Sequence, residues 1–393
     1  MFIKRRIYDD VWDYLKVDEI ALITGPRQTG KTTMLFHMYS KLKKEGKRCY
    51  FFSLEDPTLL AKLDEHPDNL INIIEGIDKE KKYIFIDEIQ YLKNPSNFLK
   101  FNYDKYKGKI KLIVTGSSAF YIDKKFKDSL AGRKRIFFLN VFSFEEFLLA
   151  KKLKIKDLKL SDKKELMNEY ITYGGYPRVI LSEDNEEKKI ILHDIAYAYT
   201  KRDIDDAGIQ KDEIFYKLFV LLSDQIGKTI NINELANTLN VSKTIINNFL
   251  YIMRKSFHIY LVSPYFRNLR KELTKMNKIY FNDFGLRNVF LNNFDKLEHR
   301  DDKGEILENM IYKKLLETTD EININYWSTI DKNEVDFVVG NKIAYESKFK
   351  VSKITPKNYI KFKETYPKIN LKYIYYDKDI ERDNDDYINF FDL

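Results

Sequence analysis

Hydrophobic residues in the first third of the chain fall in short unbroken runs, each followed by small or acidic residues. Ile20-Ala21-Leu22-Ile23, Tyr83-Ile84-Phe85-Ile86 and Leu112-Ile113-Val114 are the clearest. Unbroken runs of this length mark strands buried on both faces, as in a parallel sheet covered by helices. Residues 48–53 supply another strand, ending in Leu54-Glu55-Asp56-Pro57, whose acids either approach a site or close a turn. From about Lys151 to Leu222 the pattern turns helical and charged, with Tyr173-Gly174-Gly175-Tyr176-Pro177 as its strong turn.

Residues 232–246 then read as two helices around a turn. Asn233 is the expected cap of the first, with Leu235, Ala236 and Leu239 inward, and Asn240 suits the turn. Ser242 caps the second, whose apolar side is Ile245, Ile246, Phe249, Leu250 and Met253. Ile259-Tyr260-Leu261-Val262 and Lys278-Ile279-Tyr280-Phe281 are expected to pair as a wing. In the last hundred residues a helix over 304–317 precedes strands at 324–327, 334–339 and 342–348. Gly340-Asn341 joins the last two as a hairpin turn.

At 393 residues the chain exceeds one compact core. The pattern divides it at 1–150, 151–222, 223–290 and 300–393. No apolar run approaches the roughly 18 residues of a membrane span, and the basic start Met1 to Ile7 is followed by Asp9 and Asp10 rather than an apolar stretch. A cytoplasmic protein that uses no membrane is expected. One cysteine, Cys49, leaves no disulfide framework or cysteine zinc site, and the five histidines show no ligand spacing. The net charge of +8 permits nucleic-acid contact without arguing for it.

The strongest chemical signal is Gly25-Pro26-Arg27-Gln28-Thr29-Gly30-Lys31-Thr32, the phosphate-binding G-x-x-x-x-G-K-[ST] loop between a strand and a helix that begins near Thr33. Its glycines let backbone N–H groups curl around phosphate oxygens at the positive end of the helix dipole. Lys31 is expected on the β- and γ-phosphates and the Thr32 hydroxyl on Mg²⁺, which makes ATP and Mg²⁺ the expected ligands. Asp87, at the end of its strand, would hold Mg²⁺ through water, and Glu88 would orient and deprotonate the attacking water. The third strand runs into Gly116-Ser117-Ser118, so Thr115 or Ser117 either senses the γ-phosphate or simply caps a strand end.

The order GPRQTGKT, FIDEIQ, TGSS, Leu130-Ala131-Gly132-Arg133, Phe142-Ser143-Phe144-Glu145-Glu146-Phe147 and Tyr173-Gly174-Gly175-Tyr176-Pro177 resembles a family of bacterial and archaeal ATPases of the AAA superfamily that end in a nuclease-like domain. The resemblance implies an α/β fold: an AAA-type P-loop NTPase sheet with a helical lid, then a winged-helix domain and a small restriction-nuclease-like domain. It also makes Arg133 or Arg135 the candidate arginine finger, within the chain or on a neighbouring copy of a homo-oligomer, against the alternative of a surface pair without a role. Arg178 follows the lid entry as a further phosphate candidate. Arg202-Asp203-Ile204 resembles a short motif of that family.

Residues 225–275 carry eight Lys or Arg against two Glu. Lys243, Arg254, Arg267, Arg270 and Lys271 are candidates for phosphate neutralisation, and Lys243, Thr244, Asn247 and Asn248 for base edges. DNA is the expected partner, with a pure packing role as the alternative.

Asp336-x(9)-Glu346-x-Lys348 resembles the D-x(n)-E-x-K core of the PD-(D/E)XK nucleases, with Val335 in the place of the proline. That resemblance makes Asp336, Glu346 and the helix-borne Glu308 metal ligands, and Lys348 the group that helps activate water. E-x-K on a strand also describes an ordinary exposed sheet face. A catalytically silent domain serving an ATP-driven switch is the competing reading.

Overall fold

The computed structural model describes residues 2–74, 76–116, 130–207, 212–265, 276–329, 331, 333–381 and 385–393. The chain forms two compact units. The first comprises Met1–Asp157, Gly175–Ile191 and Lys255–Phe257. Its strands are β1 (Ile20–Thr24), β2 (Cys49–Ser53), β3 (Lys82–Asp87), β4 (Ile110–Gly116) and β5 (Lys134–Phe138). They form one parallel sheet in the order β2-β3-β4-β1-β5.

The period of two along each strand divides the apolar runs between two cores. Ile20, Leu22, Ile84, Ile86, Leu112 and Val114 point into one. Ala21, Ile23, Phe85, Ile113 and Phe137 point into the other, where Met34, Leu35, Met38 and Leu42 of the helix Lys31–Lys44 cover them. Continuous hydrophobicity is thus what a strand needs when both faces are covered. Parallel register also gathers the carboxyl ends: Thr24 lies opposite Gly116, and Ser53 opposite Asp87. Asp56 does not approach this edge as an acid in a site. Its carboxylate accepts from the Thr58 and Leu59 amides and caps the helix Pro57–Glu65.

The second unit comprises Leu158–Gly174, Leu192–Arg254 and His258–Leu393. Helices Ile232–Thr238 and Lys243–Lys255 flank a turn in which Asn240 takes φ 51°. The first helix is capped by Asn231, not Asn233. The Asn231 side chain accepts from the amides of Asn233 and Glu234, two residues earlier than the sequence pattern suggests. Strands β6 (Ile259–Val262) and β7 (Lys278–Phe281) pair antiparallel, Ile259 opposite Phe281. A mixed sheet ordered β12-β11-β10-β9-β8 ends the chain. Its strands are β8 (Ile324–Ser328), β9 (Glu334–Val339), β10 (Ile343–Lys350), β11 (Asn370–Asp377) and β12 (Tyr387–Asn389). Between β9 and β10, Gly340 and Asn341 both have positive φ (52° and 60°), as a two-residue hairpin turn demands.

A buried charge network ties the middle of this unit. Arg287, on the helix Phe284–Leu291, donates to the Ser223 carbonyl at 2.8 Å and to Asp302 at 2.6 Å. Arg300 donates to the same carboxylate at 2.8 Å and to Asn288 at 3.0 Å. Burial alone would raise the Asp302 pKa, but the Arg300 hydrogen bond and the charges of both arginines outweigh it and hold the group at about 2. The stability this supplies is present above the ordinary carboxyl pKa and is lost as pH falls through about 2. Asp302→Asn is expected to lower the unfolding free energy by about 2 kcal/mol at pH 7. Urea titrations of wild type and variant at pH 7 and at pH 2 check this, since the gap should shrink in acid.

Candidate functional site

The loop between β1 and the helix Lys31–Lys44 is shaped by backbone that only small residues accept. Gly25 has φ 151°, and a Cβ there would meet the Leu139 carbonyl oxygen at 2.1 Å. Gly30 enters the helix at φ 92°. Lys31 is buried, and its ammonium donates to the carbonyls of Gly25 (3.0 Å) and Pro26 (2.6 Å). Thr29 Oγ1 closes the loop on the Pro26 carbonyl at 2.9 Å. Burial pulls the Lys31 pKa down to about 8, against the nearby charge of Glu88. A cation so poorly solvated, satisfied by loop carbonyls alone, fits an anionic phosphate ligand.

The acids expected at the second strand arrive at this loop. Thr32 Oγ1 donates to Asp87 Oδ2 at 2.7 Å, and Thr115 Oγ1 donates to Asp87 Oδ1. Thr115 also accepts from the Glu88 amide at 3.0 Å. One hydroxyl on β4 therefore positions both acids. Asp87 has a raised pKa because it is buried, and the Thr115 and Thr32 hydrogen bonds oppose the shift. Glu88 takes φ 58°, a left-handed conformation unusual for a residue with a side chain, and its carboxylate accepts from Gln90. Thr32, Asp87 and Glu88 together offer the oxygen donors that a magnesium-bound triphosphate requires. Ser117, the other sensor candidate, lies outside the described residues.

Arg5 is a buried residue bonded to the phosphate loop that the sequence pattern does not single out. It stands in the chain as part of a basic N-terminus, yet it is 5% exposed. Its guanidinium donates to the carbonyls of Thr29 and Asn140, both at 2.6 Å, and to Glu146 at 3.1 Å, while lying 4.5 Å from the Phe142 ring centre. Glu146 also accepts from the Arg6 and Ser143 amides, the latter completing a capping box with Ser143. The motif from Phe142 to Phe147 thus works with Arg5 to anchor the underside of the phosphate loop.

Arg133 and Arg135 do not lie at the loop. The Ile20 amide donates to the Arg133 carbonyl at 2.8 Å, which puts Arg133 at the amino end of β1, whereas the loop leaves its carboxyl end. The five residues of β1 span roughly 16 Å at 3.3 Å per residue. Arg133 is held by Asp104 at 2.7 and 3.1 Å, and Arg135 lies over the Tyr14 and Phe137 rings. Neither lies at the phosphate loop of its own chain, which leaves a neighbouring copy or a surface pair without a role as the readings of Arg133 and Arg135. Arg178 is exposed on the short helix Pro177–Leu181.

In the second unit, Lys243, Thr244, Asn247 and Asn248 are all exposed on one helix, opposite buried Ile246, Phe249, Leu250 and Met253. Arg254 pairs with Glu321 at 2.9 Å. Arg267, Arg270 and Lys271 lie outside the described residues, as do the side chains of Arg202, Asp203 and Ile204.

Asp336 on β9 and Glu346 on β10 are neighbours across the hairpin, both buried. Asp336 Oδ2 accepts from the amide and hydroxyl of Ser347 at 2.8 and 2.7 Å. Glu346 Oε1 accepts from the Tyr359 hydroxyl at 2.8 Å and from Lys348. Burial, then the Asp336 charge, push the Glu346 pKa up to about 8. Glu308, on the helix Lys303–Leu315, faces Lys278 at 3.1 Å and accepts from Tyr280 at 3.0 Å. Lys278 is a second buried residue that the sequence pattern does not single out. Among the described residues no group of three or more His, Cys, Asp or Glu is arranged to hold a metal ion. No helix among them is long and apolar enough to cross a membrane.

Comparison with known proteins gives the segments their relatives. Residues 17–148 match the family model of an AAA domain, which makes the loop at 25–32 that of a P-loop nucleotide-binding domain. Residues 164–297 and 303–393 match two domains of unknown function, DUF8612 and DUF4143. An uncharacterized protein of Methanocaldococcus jannaschii is 29% identical over 82% of this chain and 72% of its own length. An uncharacterized protein of Haemophilus influenzae is 26% identical over 92% and 90%. Among solved structures, the replication initiator DnaA bound to AMPPCP and single-stranded DNA is similar at 17% identity, covering 64% of this chain and 90% of that chain with a TM-score of 0.35. The ADP form of the Aeropyrum pernix ORC2 protein covers 80% and 95% at 13% identity and a TM-score of 0.37.

Arg5→Ala is expected to lower the unfolding free energy by about 3 kcal/mol, because Glu146 is left buried without its cation. Arg5→Met combined with Glu146→Leu should recover most of that loss while nucleotide affinity stays reduced, since Thr29 has lost its anchor. Urea unfolding and fluorescent-nucleotide titration on the same samples separate the two effects.

Proposed function

We propose that the protein is a Mg²⁺-dependent ATPase. The observation that carries this is the meeting of Lys31, Thr32, Asp87, Glu88 and Thr115 at one edge of a parallel sheet. Bound Mg·ATP supplies a γ-phosphorus whose charge is partly neutralised and which is open to attack by water. Lys31 would exchange its two loop carbonyls for phosphate oxygens. Thr32 and Asp87 would hold the cation, with Arg27, Gln28, Thr29, Gly30 and Thr33 contributing the loop and the helix start around the phosphates. Glu88 takes the proton of the attacking water. Thr115 keeps Asp87 and the Glu88 backbone in register during that transfer. Arg133, at the far edge of the sheet, would serve as a finger only toward a second copy of the chain.

The second unit is read as a DNA platform. Support comes from the exposed polar face of Lys243, Thr244, Asn247 and Asn248 and from the basic excess of residues 225–275. Its two helices and the β6–β7 hairpin have the order of a winged helix, and the terminal mixed sheet is read as nuclease-like in architecture. We read that sheet as non-cutting, because Asp336 Oδ2 and Glu346 Oε1 are held by Ser347, Lys348 and Tyr359 and the Lys278 ammonium lies among Glu308, Glu334 and Asp336.

Glu88→Gln should retain ATP and slow hydrolysis by about a hundredfold or more. Phosphate release with and without DNA tests this, and a wild type with no turnover in either condition favours a binding switch over an ATPase. Plasmid incubated with Mg²⁺ or Mn²⁺ is expected to be cut no faster by wild type than by Asp336→Ala. Cutting that depends on Asp336 restores the nuclease reading. Lys243→Glu should weaken DNA retention in filter binding and reduce its dependence on salt.

A further inference from the structure

Lys278 is the first residue of β7, in the segment that matches one domain of unknown function, while the acids around it belong to the next. It is 2% exposed, and its ammonium lies 2.5 Å from Glu334, 3.1 Å from Glu308 and 3.9 Å from Asp336. Three carboxylates from a helix and a strand thus converge on one nitrogen.

The backbone leaves this lysine little freedom. The Asn309 side chain accepts from the Phe281 amide at 2.6 Å and donates to the Phe281 carbonyl at 2.9 Å, clamping the far end of β7 to the helix that carries Glu308. Tyr280 stacks on Tyr312 of that helix at 5.0 Å and lies 5.6 Å from Phe337 of β9. The Tyr280 hydroxyl also donates to Glu308. Lys278 is delivered to the acids by a strand fixed on both sides, unlike a surface lysine that swings in and out of solvent.

Two of those acids, Glu308 and Asp336, are the ones that the nuclease resemblance makes metal ligands. The residues present do not fit a divalent ion as they stand. Glu308 is engaged by Lys278 and Tyr280, Asp336 by Ser347 and Lys278, and Glu346 by Lys348 and Tyr359 through Oε1. Each of the three acids has one oxygen held by a protein donor, and among the described residues no group of three or more His, Cys, Asp or Glu is arranged to hold a metal ion. An ammonium also does what the acids need most, offsetting like charges gathered in a poorly solvated place.

We propose that Lys278 is a built-in cation that occupies the place of a divalent metal ion among Glu308, Glu334 and Asp336. The acid cluster then serves as an ionic clasp between β7 and the terminal sheet, and divalent ions bind these carboxylates only when the lysine is removed. The inference rests on the reading of the sheet as non-cutting, so binding is measured apart from cutting.

The test is Mn²⁺ titration of the full chain without nucleotide, followed by electron paramagnetic resonance. Wild type and Asp336→Ala should bind Mn²⁺ alike. Lys278→Met should gain one Mn²⁺ per chain, at least about tenfold tighter, and lose it again in Lys278→Met/Asp336→Ala. Tight Mn²⁺ binding by wild type that Asp336→Ala abolishes overturns the proposal. So does a folded Lys278→Met that gains no ion. Lys278→Gln replaces Lys278→Met if the latter does not fold, and the wild-type comparison stands without either. Plasmid cutting by a wild type that binds no Mn²⁺ at Asp336 would sink the non-cutting reading and leave the clasp intact.

Discussion

One carboxylate joins the three elements of the nucleotide site. Asp87 takes the Thr32 hydroxyl on one oxygen and the Thr115 hydroxyl on the other, so the start of a helix and the ends of two strands share a single acid. The arrangement depends on the parallel order β3-β4-β1, which brings the carboxyl ends of these strands to the same edge. An antiparallel neighbour would send one of these groups to the far side of the sheet. Arg133 shows the consequence, since it is close in sequence to the strand β5 and still a full strand length from the loop.

Among the described residues a buried charge meets a desolvation penalty, and the outcome turns on the partner supplied. Lys31 is paired with carbonyl oxygens only and readily takes a stronger acceptor. Arg5 is paired with carbonyls and Glu146, and that fuller set makes it an anchor. Asp302 has two arginines and is held ionised far into acid. Lys278 has three acids in reach, and burial, which works against its charge, is overcome by them. Charges left partly satisfied mark where a ligand enters, and charges fully satisfied mark where the fold is pinned.

The loop, the Asp87-Glu88 pair, strands β1 to β4 of the first sheet and the Gly340-Asn341 hairpin are legible in the sequence because each follows from local chemistry, whereas β5, with Lys134 and Arg135 at its start, is not. Glycine tolerates the backbone the loop requires, and an unbroken apolar run fits a strand covered on both sides. Arg5 and Lys278 are not legible. Their partners lie 141 and 30 residues away, and no local pattern distinguishes a buried Arg or Lys from a solvated one. Asn231 is hidden for a smaller reason: two asparagines in Ile230-Asn231-Ile232-Asn233 suit a cap equally, and the choice between them is made by where the inward face of Leu235 and Ala236 begins. For Asp336, Glu346 and Lys348, hairpin geometry is enough to make them neighbours. The hydrogen bonds from Ser347 and Tyr359 and the reach of Lys278 arise only from tertiary packing.

Calorimetric titration of Mg·ATP into the purified chain shows whether the loop and its acids grip a triphosphate. Heat from one site per chain is expected in wild type, with its loss in Lys31→Ala. No heat in wild type, or an unchanged titration in Lys31→Ala, would contradict the assignment of this edge of the sheet as a nucleotide site.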